Sequence, residues 1–82
     1  MMEFFDYNTF MMPAEDIYDL AIKYKKGDGV EKSNYIAADL FYKSAIKGFD
    51  LARIDLFRQK VLRPGTIPSY ISIEKQWFDA VV

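Results

Sequence analysis

Eighty-two residues, 51% of them hydrophobic and 17% aromatic, are one domain's worth of chain and exclude a disordered polymer. With no Cys and no His, the chain cannot form disulfides, the usual zinc, haem or iron–sulfur sites, or catalytic dyads and triads that use those side chains. Net charge is only −1, yet it is segregated: residues 1–20 hold five acids and no base, whereas residues 21–63 hold ten bases and five acids.

The head, Phe4-Phe5-Asp6-Tyr7-Asn8-Thr9-Phe10-Met11-Met12, is rich in large apolar side chains. Two expectations follow. Residues 1–12 fold over the open end of the first helix pair as a cap, or they form an arm whose aromatics anchor a partner. The first helix is predicted to open at Met12-Pro13, since Pro suits the first helical position. Glu15, Asp16 and Asp19 then favour the positive end of the helix dipole, and Lys23, Lys25 and Lys26 the negative end. Ile17, Leu20, Ala21 and Tyr24 recur at helical spacing and predict the buried face. Gly27-Asp28-Gly29 ends the helix, because glycine takes positive φ without strain.

A second helix is predicted from Ser33 as N-cap, with Ala37, Leu40, Phe41, Ser44 and Ala45 inward and Lys47-Gly48 as its stop. A third starts at Asp50 as N-cap, turns Ala52, Leu56 and Phe57 inward, and ends at Pro64-Gly65. A fourth follows Ser69, with Ile73, Trp77, Ala80 and Val81 on its buried face. No stretch alternates long enough to compete as a strand; Pro68 argues against 67–73.

The chain also resembles itself at a spacing of 36. Without a gap, that shift carries Leu20 to Leu56, Gly29 to Gly65, Ser33 to Ser69, Ala37 to Ile73, Phe41 to Trp77, Ser44 to Ala80 and Ala45 to Val81. Periods of about 20–50 residues mark stacked repeats. The predicted fold is all-α, two stacked helix–turn–helix repeats forming a short α-solenoid behind an N-terminal capping segment. Within the single domain 1–82, residues 13–51 are the first repeat and 52–82 the second, degenerate one.

The run from Leu20-Ala21-Ile22-Lys23-Tyr24 through Gly27-Asp28-Gly29-Val30, then Ala37, Phe41, Lys43, Ala45, Gly48 and Ala52, resembles a Sel-one-like repeat, a relative of the tetratricopeptide repeats. The resemblance covers about residues 16–52. Asp16 replaces a small residue, Ala21 the more usual Gly, Leu40 an aromatic and Ser44 an Ala. In the second unit Ala52, Leu56, Gly65, Trp77, Ala80 and Val81 fit, while Lys60 stands where Tyr is expected and Arg63 where the first Gly is expected. The resemblance implies an adaptor or scaffold that holds other proteins.

Local chemistry points the same way. Gly27-Asp28-Gly29 ends a helix, follows no strand and lacks the Lys-Ser/Thr of a phosphate loop. Asp16 and Asp19 read as exposed first-turn acids. Lys23, Lys25, Lys26, Lys32, Arg53, Arg58, Lys60 and Arg63 invite a nucleic-acid reading, but a pI near 5.3 disfavours it. The expectation is therefore a non-enzymatic protein-interaction module without cofactor. Its contacts would be Tyr18, Lys25, Arg53 and Lys60 on the concave face lined by the first helix of each hairpin, with Phe5 and Tyr7 on the head. The alternative is a stoichiometric inhibitor of an enzyme: an immunity protein, antitoxin or phage-encoded blocker. Two repeats are fewer than the roughly three needed for independent stability, which favours a protein partner or a homodimer. Acids near the start and the lack of a long apolar run predict a cytoplasmic chain with no membrane association.

Overall fold

A computed structural model describes residues 11–71. Among them lie three α-helices and no strand: α1 (Ala14–Lys26), α2 (Asn34–Ile46) and α3 (Asp50–Leu62), followed by a 3₁₀ turn at Pro64–Thr66. The predicted head contacts Phe5 and Tyr7, and the fourth helix, lie outside the described residues. No helix among the described residues is long and apolar enough to cross a membrane.

Pro13 stands one position earlier than predicted, as the residue before α1 rather than its first. Its φ of −59° suits a helix, but its ψ of 152° does not. Its carbonyl accepts from the Asp16 and Ile17 N–H groups at 3.0 and 3.1 Å, which starts the ladder without a side-chain cap. The other end follows the sequence. Gly27 adopts φ 76°, and the Gly27 and Asp28 N–H groups both donate to Lys23 O, at 2.7 and 2.9 Å. A Cβ there would sit 3.1 Å from Lys32 Cβ, so any other residue would be strained at this φ and would crowd Lys32. Ser33 N–H then donates to Tyr24 O at 2.9 Å and closes the turn.

Ser33 caps α2 as expected, its Oγ accepting from Ile36 N–H at 3.1 Å. The predicted stripe of Ala37, Leu40, Phe41, Ser44 and Ala45 is buried throughout. Ala38 and Asp39 are buried as well, so burial is continuous from Ala37 to Phe41. A helix buried around so much of its circumference must be central, and α2 packs against α1 on one side and α3 on the other. Ala21, Ala37, Ala38, Ala45 and Ala52 are fully buried; side chains this small let the helices approach closely. Ser44 Oγ donates to Ala14 O at 2.6 Å and ties the end of α2 to the start of α1.

Gly48, at φ 100°, and a Phe49 N–H to Ser44 O bond turn the chain into α3. Asp50 is not the cap that its type suggested. The backbone has already entered the helix there, with Phe49 as N-cap, and the Asp50 carboxylate pairs with Arg53 at 3.1 Å instead. Ala52 and Leu56 are fully buried as predicted, and Phe57 is half-buried. Gln59, unforeseen, is also buried: its amide donates to Asn34 O at 2.8 Å and to Thr66 Oγ1 at 2.7 Å, binding α2, α3 and the 3₁₀ turn together. Pro68 and Ile71 then bury against the helices.

The spacing of 36 returns in the helices: Ala14 and Asp50 begin α1 and α3, and Lys26 and Leu62 end them. Two details depart from it. Gly29 takes φ 78° whereas Gly65 is not among the glycines of positive φ, so that pair is not a conformational match. The buried faces are offset by one residue, Ile17 and Ala21 answering to Ala52 and Leu56.

Candidate interaction surface

Tyr18 is the joint between α1 and α3. Its ring packs at tilted angles against Phe41 and Phe49, with centroids 5.6 and 5.1 Å away. Its hydroxyl donates to Asp55 Oδ2 at 2.5 Å. Burial, then the hydrogen bond and the charge of Asp55, push the phenol from 10.0 up to about 12, with Arg58 opposing. A tyrosine held neutral by the fold contributes stability that is complete below about pH 10 and fades as the pH rises toward 12. Tyr18→Phe is expected to cost about 1–2 kcal/mol near neutral pH, since it removes a bond to a carboxylate. In an ultraviolet phenolate titration this variant should lack a phenol that ionises near 12; an unchanged alkaline limb contradicts the assignment.

Beside that joint, Lys25 of α1 faces Arg58 and Leu62 of α3 and the following Arg63 across a depression of about 60 Å³. Asn34, Asp55 and Gln59 line its floor. Small-molecule sites typically enclose about 300–1,000 Å³, so this one accommodates a side-chain head group and not a metabolite. Because Lys25 and Arg63 meet here, the C-terminal ends of α1 and α3 share one end of the bundle, with α2 starting between them. Asn34 O is occupied by Gln59, and Asp55 Oδ1 lies 3.7 Å from Arg58 Nη1. Lys25 and Arg63 have no ion-pair partner among the described residues. A wider, more open hollow lies beside the α1–α2 turn, bounded by Tyr24, Glu31, Lys32, Ser33 and Ile36. Among the described residues no group of three or more acids gathers to hold a metal ion.

Of the contacts expected on α1 and α3, only Lys25 lines the depression. Tyr18 is half-buried, its ring packed on Phe41 and Phe49 and its hydroxyl bonded to Asp55. Arg53 is half-buried beside Asp50, and Lys60 is exposed on α3 outside the depression. Arg58, Gln59, Leu62 and Arg63, which also line the depression, were not among the expected contacts. A signal existed, since Asp55, Arg58, Gln59 and Leu62 recur at helical spacing on one face of α3. No family model matches this chain, and no curated protein or solved structure matches it.

Proposed function

We propose that this chain is a non-catalytic protein–protein interaction module built from two Sel-one-like helical repeats, with α1 and α3 as the first helices of the two hairpins. The observation that carries the reading is the α1–α3 face. Arg58 exposes 68% of its side chain and Leu62 is 69% exposed, around a depression too small for a metabolite. Arg is enriched at protein interfaces, and exposed Leu62 adds apolar area beside it for a partner to bury. The equal spacing of α1 and α3 and the glycine-closed α1–α2 turn support the repeat reading.

The test uses the full chain as bait in an extract of its native host, beside the bait carrying Leu62→Asp and the bait lacking residues 1–12. A stoichiometric partner lost from the Leu62→Asp bait, whose helical signal is intact, supports the face. Recovery of no partner by any bait, or of one indifferent to both changes, overturns the reading.

A further inference from the structure

Resting on that reading, we propose that the α1–α3 depression receives an acidic segment of the partner protein, seating one carboxylate among Lys25, Arg58 and Arg63. Three cations surround the depression and a single carboxylate, Asp55, lies within it. That carboxylate is already engaged, with Oδ2 accepting from Tyr18 and Oδ1 facing Arg58. Positive charge is therefore in excess where a ligand would enter.

The negative ends of α1 and α3 point to the same place and would oppose an anion. Three of their last carbonyls are taken, however. Lys23 O accepts from Gly27 and Asp28, Tyr24 O from Ser33, and Gln59 O from Arg63. At an exposed surface the helix-end effect is small and screened by salt, whereas guanidinium groups bind carboxylates in forked, charge-assisted pairs. The volume fits a carboxylate head group, and exposed Leu62 offers its neighbour an apolar contact.

A nucleic-acid strand carries the same kind of charge, but it would have to run past the other half of α1. Glu15, Asp16 and Asp19 are all exposed there. Ten residues of helix separate Glu15 from Lys25, about 15 Å at 1.5 Å per residue. Screening acts over roughly 8 Å at physiological salt. Asp19, six residues from Lys25 and about 9 Å away, is partly screened, so a short acidic peptide feels mainly the cations, while a long polyanion meets both ends.

The experiment measures anisotropy of a fluorescent Glu- and Asp-rich peptide titrated with the full chain, beside its Gln and Asn counterpart and a single-stranded oligonucleotide of equal length. The acidic peptide should bind tightest, and more weakly as salt rises. Arg58→Gln and Arg63→Gln should each weaken it about ten-fold with unchanged thermal unfolding, and Lys60→Gln, outside the depression, less than two-fold. Equal binding of the acidic and amide peptides overturns the proposal, as does an equal loss with Lys60→Gln. Tighter binding of the oligonucleotide overturns it in favour of nucleic acid. If the host extract yields a partner lost on Leu62→Asp yet retained by Arg58→Gln with Arg63→Gln, the interaction module stands and the acidic segment falls.

Discussion

Phe41→Ala should remove a large part of the fold's stability. Phe41 is 1% exposed on the central helix and is among the largest fully buried side chains. Around it lie Ala21, Ala37, Ala38, Ala45 and Ala52, all fully buried. Alanines have no rotamers with which to fill a void, so a cavity at position 41 would stay open, and cavity volume adds to the lost transfer energy. Phe-to-Ala changes in cores cost about 3–5 kcal/mol. At roughly 0.05–0.15 kcal/mol per residue, a chain this long has about 4–12 kcal/mol in all, so the loss consumes much of the margin. Tyr18 would suffer too, since its ring leans on Phe41. Urea unfolding followed by helical circular dichroism measures the effect, with Phe41→Leu as the milder comparison. A loss below about 1 kcal/mol would show that Phe41 is not what fills the space between the helices.

Phe41 was legible in the sequence because its burial depends on a local rule. Ile17 with Ala21, Ala37 with Phe41 and Ser44, and Ala52 with Leu56 recur at helical spacing, and each pair or set is buried. Ser33 and Gly27 were legible for the same reason: a hydroxyl bonding three residues ahead and a glycine turning left-handed are short-range events. Asp50 failed because its role is fixed by where Gly48 and Phe49 turn the backbone, which residue type does not encode. The spacing of 36 paired Leu20 of α1 with Leu56 of α3, yet it also paired Gly29 with a glycine of different conformation, since identity at a spacing does not fix φ. The depression was out of reach for another reason. One face of α3 can be read from residues 55, 58, 59 and 62, but its meeting with Lys25 depends on how α1 and α3 settle on α2. Gln59 and Asp39 were least legible, because a buried polar group makes sense only beside its partners. Those partners lie at Asn34 and at Tyr70, 25 and 31 residues away.

Asp39 carries the second large effect. A carboxylate 2% exposed in the middle of α2 is tolerated only if its charge is matched and its oxygens are engaged. The charge is matched by Lys43, one turn later, whose Nζ lies 2.9 Å from Oδ2, and Tyr70 donates to Oδ1 at 2.5 Å, while Oδ2 accepts no hydrogen bond among the described residues. Asp39→Ala removes both contacts and opens a void under the Pro68–Ile71 segment. Breaking a fully buried ion pair costs about 3–5 kcal/mol. Lys43 is 25% exposed and can swing back to water, so about 2–3 kcal/mol is expected here. Tyr70→Phe alone should cost about 1–2 kcal/mol. Because both changes delete the same bond, the double variant should lose less than the two losses added, a deficit that a double-mutant cycle reads directly. The Ile71 amide, which donates to Pro68 O at 3.1 Å, should exchange faster in all three variants if Tyr70 pins this segment to α2. Additive losses, or unchanged exchange at Ile71, would mean that the carboxylate serves α2 through Lys43 alone. Asp39→Leu separates charge from shape: an apolar side chain of similar size should recover part of the loss by filling the space, while leaving Tyr70 without its acceptor.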